Sequence, residues 1–207
     1  MNMTQKFYVF THNSHYNRKY TWAFRVHSRS EMIEREHLEN GIWIRRSYAS
    51  GAFDVSIEGG SEYPDILGCG AYPYLIVSEA VILDWQQAGI KSFHTYPVGI
   101  AEIISRSKRL RAASTPRYFR VEIDGRCQID KEASVLHINR YRPLRFQMVS
   151  GSWDGSSLFR DVDLYPNVKF CTEQILTLAR VYKRTNFRFE HLESPIDPST
   201  RGIEYLK

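Results

Sequence analysis

Cysteine is scarce in this 207-residue chain: Cys69, Cys127 and Cys171 are the only three, far apart and odd in number. That argues against a secreted disulfide framework and for small buried thiols in a reducing cytoplasm. No Cys-x-x-Cys pair occurs, so neither a zinc ribbon nor a dithiol redox centre is supported. Long hydrophobic runs are missing too. Nothing approaches the roughly 20 apolar residues that span a bilayer, and no membrane partner is expected. The stretch 1–10 lacks the basic start, apolar middle and small-residue cleavage site of a signal peptide. No internal repeat, low-complexity tract or linker is visible. The length suits a single domain over 1–193, or two intimately packed halves at about 1–100 and 101–193. Pro195, Asp197, Pro198 and Ser199 mark 194–207 as an irregular tail.

Catalytic signatures are equally sparse. His37-Leu38-Glu39 has half of a zinc-deaminase pattern without the Pro-Cys-x-x-Cys half. Gly151-Ser152-Trp153-Asp154-Gly155 lacks the serine-centred spacing of a nucleophile elbow and reads as a turn. Gly68-Cys69-Gly70 has no third glycine for a dinucleotide site. No catalytic residue, metal or cofactor is therefore expected. An enzyme would need a dispersed site, for instance around Asp65, Asp154 and His137.

Aromatics, by contrast, are abundant: 13 Tyr, 11 Phe and 4 Trp. They suit an interface, where rings give large contact area with a polar handle, and equally a sheet-rich core. Period-two alternation dominates: Tyr20, Trp22, Phe24 and Val26; Phe53, Val55 and Ile57; Phe119, Val121 and Ile123; Leu144, Phe146 and Met148; Phe187 and Phe189. Asp124-Gly125 adds a tight-turn signal. One helix is expected after Ser78 as N-cap, through Val81, Ile82 and Trp85 to a left-handed stop at Gly89. Another follows Thr172, with Ile175, Leu178, Ala179 and Tyr182 on one stripe and Lys183 and Arg184 at its negative end. A weaker candidate spans 28–38, from the capping-box spacing of Ser28 and Glu31. The expected class is α+β: mainly antiparallel sheet with two or three packed helices.

The net charge is +5 and the pI about 9.1, with basic stretches Arg106, Lys108, Arg109, Arg111, Arg117 and Arg140, Arg142, Arg145. Such a face is often merely solvated, but it suits an acidic protein or nucleic acid. In the second case Tyr118, Phe119 and Tyr141 would supply stacking rings beside phosphate contacts, although no helix-turn-helix, zinc-finger or RNP signature accompanies them.

Three stretches in order carry a resemblance. They are Tyr63-Pro64-Asp65-Ile66-Leu67-Gly68-Cys69-Gly70 through Ser78-Glu79, Gly89-Ile90 and Tyr96-Pro97-Val98; Trp153-Asp154-Gly155-Ser156-Ser157-Leu158-Phe159; and Phe170-Cys171-Thr172-Glu173 through Thr185-Asn186-Phe187. Together they resemble the double-CxxCG motif immunity proteins of myxobacterial swarm-inhibition systems. The Ser-Glu, helix, Gly-Ile, Pro-Val unit is also similar to other immunity proteins of polymorphic-toxin loci. The resemblance implies a cytoplasmic, non-enzymatic inhibitor that binds a cognate toxin and occludes its active site or its access to a target. Both Cys-x-x-Cys-Gly motifs are missing: near 36–50 and 136–146 stand Gly41-Ile42-Trp43-Ile44 and His137-Ile138-Asn139-Arg140, so no metal carries over. The motif residues read as structural. Pro64, Gly68 and Gly70 shape a turn near Tyr63 and Asp65, and Ser78 caps a helix. Trp153 and Phe159 fill core, and Asp154, Gly155 and Asn186 hold turns. Arg106, Lys108, Arg109 and Arg111 are the candidate toxin contacts, with nucleic-acid binding by the same cations as the alternative.

Overall fold

The computed structural model describes residues 5–12, 19–28, 36–39, 42–45, 53–68, 74–130, 132–136, 143–162, 168–192 and 203–206. The alternating stretches form β1 (Phe7–His12), β2 (Trp22–Ser28), β3 (Glu36–Glu39), β4 (Ile42–Arg45), β5 (Phe53–Glu58), β6 (Ile66–Leu67) and β7 (Leu75–Ser78). Helix α1 (Glu79–Gln87) follows directly and β8 (Phe93–Ile103) returns. A short helix α2 (Lys108–Ala112) leads to β9 (Tyr118–Ile123). Then come β10 (Gly125–Cys127), β11 (Val135–Leu136), β12 (Pro143–Arg145), β13 (Leu158–Asp161) and β14 (Lys169–Thr172). Helix α3 (Glu173–Val181), β15 (Phe187–His191) and β16 (Ile203–Leu206) complete the order. The class is α+β. Two six-stranded sheets, β2-β5-β8-β9-β7-β6 and β10-β13-β14-β1-β15-β16, are mainly antiparallel, and β3–β4 and β11–β12 are two-stranded ribbons.

The first sheet nearly closes on itself. Trp22 bridges Gly68, and the Ala23 N–H donates to the Gly68 carbonyl at 2.7 Å, so the two outer strands meet. Ala23, Val55, Ile57, Leu67, Ile76, Val98 and Tyr118 fill the interior of this barrel. Gly68 thus continues β6 as extended backbone and does not shape the expected turn, while Gly70 lies outside the described residues.

An internal repeat that the sequence hides organises the whole molecule. In the first sheet β9 lies between β7 and β8, antiparallel to both, so β7-α1-β8 is a crossover that skips one strand. In the second sheet β1 lies in the same way between β14 and β15, around α3. The registers coincide. Ser78 faces Tyr118 and Phe93 faces Ile123, as Thr172 faces Phe7 and Phe187 faces His12. The Ser78 N–H donates to the Asp65 carbonyl at 2.8 Å, as the Thr172 N–H does to Ser157 at 3.0 Å. The middle strand of the first unit follows β8 in the chain, whereas that of the second is the N-terminal strand. A division near residue 100 therefore does not separate the units: β1 belongs to the later one and β9 to the earlier.

Both helices end alike. After α1 the Ile90 N–H reaches the Trp85 carbonyl at 2.9 Å and the Gly89 N–H reaches Gln86 at 3.0 Å, with Gly89 at φ +76 as expected. After α3 the Arg184 N–H reaches Ala179 at 2.8 Å and Lys183 reaches Arg180 at 3.1 Å, but Lys183, not glycine, carries the left-handed φ of 53. A side chain there costs about 1 kcal/mol. Lys183→Gly is therefore expected to raise stability by about 0.5–1 kcal/mol, seen as a higher urea midpoint. A lower midpoint would show that the lysine side chain outweighs its backbone cost.

The inward faces of both sheets and both helices share one core: Phe10, Ile66, Val77, Val81, Trp85, Val121, Leu158, Cys171, Ile175, Leu176, Phe187 and Phe189 are among its members. Trp85 meets Phe93 edge-on at 5.4 Å between ring centroids. The outward face of the second sheet has a smaller cluster of Cys127, Ile129, Phe146, Phe159, Phe170 and Leu192, against which Phe7 and Trp153 pack. Phe159 is fully buried, and Trp153 packs against it from a half-buried position.

Several expectations fail for local reasons. The helix over 28–38 is not formed where it is described, because Glu36–Glu39 pairs with Ile42–Arg45 across Asn40-Gly41, a strong hairpin signal. Residues 29–35 lie outside the description. Asp124-Gly125 is no hairpin turn. The chain runs from β9 straight into β10, parallel to β13 in the other sheet. A Cβ on Gly125 would lie 2.1 Å from the Leu158 carbonyl oxygen, so close approach of two backbones demands the glycine. The tail is not irregular throughout, since Ile203–Leu206 pairs with β15. Its Ile-Glu-Tyr-Leu alternation is a strand pattern that the upstream prolines mask.

Candidate interaction surface

Asp65, Ser78 and Asn186 meet at the joint between the two repeat units. The Asp65 carboxylate accepts from Ser78 Oγ at 2.8 Å, from the Thr185 N–H at 2.9 Å and from Thr185 Oγ1 at 3.0 Å. Arg184 Nη1 stands 3.6 Å from it, and the same guanidinium forks onto Asp84 through Nε at 2.6 Å and Nη2 at 2.9 Å. That hydrogen bond to Asp84, ahead of the opposing effect of burial and the charge of Asp65, holds the Arg184 pKa above its usual value. Asn186, at φ 65, donates to the Ile66 carbonyl at 2.8 Å, and Tyr118 Oη donates to Pro64 at 2.7 Å. Burial, then Asp65 and Tyr63, pushes the Tyr118 phenol upward, so it stays a protonated donor. Ser78 occupies the N-cap position, but its side chain makes no cap bond, because Asp65 claims it. No spacing pattern marks Asp84, Thr185 or Arg184 for this role.

Asp154 is likewise engaged. Its carboxylate accepts from the Arg126 N–H at 2.8 Å and the Ser156 N–H at 2.9 Å, closing the turn at Gly155 (φ +87). Asp65 and Asp154 therefore serve separate backbone frames and form no acid pair, and His137 lies outside the described residues. The Cys127 thiol is pushed up to about 12 by burial, with help from Asp161 and Asp154, and burial alone drives Cys171 well upward. Neither is a thiolate at neutral pH. Among the described residues, no three His, Cys, Asp or Glu side chains are placed to hold a metal ion.

The basic stretch is built differently. Residues 104–117 carry Arg106, Lys108, Arg109, Arg111 and Arg117 and no acid. Fully buried Leu110 pins α2, and Ser107 Oγ caps it by accepting from the Leu110 N–H at 3.2 Å. Ser105 Oγ donates to the Gly60 carbonyl at 2.9 Å and accepts from the Ser107 N–H at 3.1 Å, tying the connection to the barrel. All five cations are exposed. Arg109 pairs with Glu62 at 2.9 Å, and Glu62 also pairs with Lys19 at 3.2 Å. Arg111 Nε donates to the Ser105 carbonyl at 2.9 Å, and Arg117 pairs with Glu79 at 2.6 Å. Arg106 and Lys108 have no partner among the described residues. Tyr118 points into the barrel and Phe119 packs on the central core, so neither ring stands free as a stacking platform. Arg140, Arg142 and Tyr141 lie outside the described residues.

Among the described residues, no helix is long and apolar enough to cross a membrane. No protein-family model matches this chain, and no curated protein does.

Proposed function

We propose that this chain is a binding protein that neutralises a partner, in the manner of bacterial immunity proteins. Its contact surface is the basic β8–β9 connection, and its partner an acidic face of a cognate toxin. The observation that carries this reading is where charge is left unspent. Asp65 and the half-buried Arg184 are consumed in joining the repeat units, whereas Arg106 and Lys108 stand exposed on a turn held by Leu110 and Ser105. A rigid cationic surface favours electrostatic association and costs little ordering entropy on binding. The duplicated fold also supports the resemblance. Two-stranded ribbons, β3–β4 and β11–β12, stand at or beside the two regions, near 36–50 and 136–146, where the resemblance would put the paired motifs. The buried position of Tyr118 and the packing of Phe119 favour a protein partner over single-stranded nucleic acid.

Arg106→Ala with Lys108→Ala is expected to weaken the complex with a cognate toxin domain by about tenfold or more at low salt. The variant should also flatten the salt dependence, and cell survival on co-expression should fall in step. Competitor nucleic acid should leave the wild-type complex intact. Unchanged affinity at low salt removes this surface from the interface, and rescue of cells without any complex points to chemistry instead of occlusion.

A further inference from the structure

The repeat makes one difference between the units informative. In the second unit the edge of β15 away from β1 carries β16, with Phe187 facing Leu206, Arg188 facing Tyr205, Phe189 facing Glu204 and Glu190 facing Ile203. The equivalent edge of the first unit is the start of β8, from Phe93 onward. There β5 pairs with β8 only from Val98, so among the described residues Phe93 and Thr95 have no strand beside them on that side. Backbone direction can be read from the ladder. The Ser92 carbonyl accepts from the Asp124 N–H at 2.9 Å, so even-numbered residues turn toward β9 and the N–H and C=O groups of Phe93 and Thr95 turn outward. Pro97 agrees, since it has no N–H and is tolerated only where the ladder does not need one.

A groove of about 420 Å³ runs along this edge, lined by Gln86, Ile90 and Lys91 from the end of α1 and by Phe93, His94 and Thr95. Tyr96 completes a mostly polar lining in which Ile90 and Phe93 are the apolar members. Exposed Lys91 gives a positive rim, while His94 pairs with Asp124 at 3.0 Å and Tyr96 Oη donates to Glu122 at 3.2 Å. Outward amide and carbonyl groups along an open groove match what strand addition uses.

We propose that this edge is a peptide-binding site that takes one extended segment of a partner protein, antiparallel to β8. β16 defines the pattern: a four-residue strand with an apolar residue facing Phe93 and an acidic one facing Thr95 within reach of Lys91. The site is separate from the α2 surface and does not rest on its role.

The test uses the full chain and a blocked synthetic peptide of sequence Arg-Gly-Ile-Glu-Tyr-Leu-Lys, that of residues 201–207. Saturable binding is expected, with slowed amide exchange at Phe93 and Thr95. Thr95→Pro, which removes an outward N–H and leaves the β9 ladder intact, should weaken binding by about tenfold or more. A peptide methylated on the backbone nitrogens of its Glu and final Leu should not bind, a control that does not depend on how the variant folds. Arg106→Ala with Lys108→Ala should bind the peptide normally, so failure of the α2 reading stays distinguishable. No binding at millimolar peptide overturns the site. So do undiminished binding by Thr95→Pro, protection of Phe93 and Thr95 in the free protein, and protection confined to Phe187–Glu190, where the peptide would have displaced β16.

Discussion

Asp65→Ala is expected to lower the stability of the protein by about 3 kcal/mol, seen as a lower urea midpoint with an unchanged slope. The carboxylate receives three hydrogen bonds, from Ser78 Oγ, Thr185 Oγ1 and the Thr185 N–H, and lies beside Arg184. Truncating it strands all three donors in a partly buried seam, and each lost partner leaves its desolvation uncompensated. Arg184→Ala should cost a similar amount, because Asp84 is buried and the bidentate contact with Arg184 is what neutralises it. The double variant should cost less than the sum of the two, since both changes open the same network. Asp65→Asn keeps one oxygen acceptor and should lose about half as much. A loss for Asp65→Ala below about 1 kcal/mol would place the network with solvated surface ion pairs, which contribute little.

The strands were readable because one face of each is apolar. Val55, Val121 and Phe187 mark the alternation in the stretches that became β5, β9 and β15, whereas in β2 Ala23, not Trp22, faces the barrel interior beside a register shift. Helix α1 was readable from its stripe and its stop at Gly89, and α3 from Ile175 and Ala179, although Leu176 is the third buried residue and Tyr182, expected on the stripe, is exposed. Pairing was not readable, because a strand pattern fixes which face is buried and says nothing about its neighbours. The repeat escaped for a measurable reason. Between 75–96 and 169–190 only two aligned pairs are identical, Glu79 with Glu173 and Phe93 with Phe187. What the units share is backbone geometry: a strand running directly into a helix, and a left-handed residue ten positions after the first helical one, at Gly89 and Lys183.

The motif residues show the same division between local and long-range information. Gly155 and Gly89 behave as local turn chemistry requires. Ser78 does not, since a residue 13 positions upstream competes for its hydroxyl and wins. Asp65 meets Thr185 across 120 positions, a contact that no spacing rule anticipates. The basic stretch was visible as composition, but which cations are spent became apparent only with Glu62, Glu79 and the Ser105 carbonyl in place. Of the four candidate contacts Arg109 meets a carboxylate, Arg111 keeps its charge while its Nε donates to a backbone carbonyl, and Arg106 and Lys108 have no partner among the described residues.

Removal of residues 1–12 is expected to abolish cooperative folding of the whole chain, although β1 is no part of the basic surface. Strand β1 is the centre of the second sheet, paired on one side with β14 and on the other with β15, so its loss splits that sheet. Phe10 is buried, stacks with Phe189 at 6.3 Å between ring centroids, and belongs to the core that also holds α1 and β9 of the first unit. On the outward face Phe7 meets Trp153 at 4.9 Å and Phe159 at 5.6 Å, and its carbonyl accepts from the Leu192 N–H at 2.9 Å. The single substitution Phe10→Ala should already cost about 3–5 kcal/mol, a large part of the roughly 5–15 kcal/mol that holds an ordinary domain folded. Calorimetry of the truncated chain decides between two views of the repeat. Absence of any sharp transition means that the shared core makes the units one cooperative body. A residual transition of about half the wild-type enthalpy would mean that the barrel unit folds alone, and that the units joined at Asp65 and Arg184 remain separable.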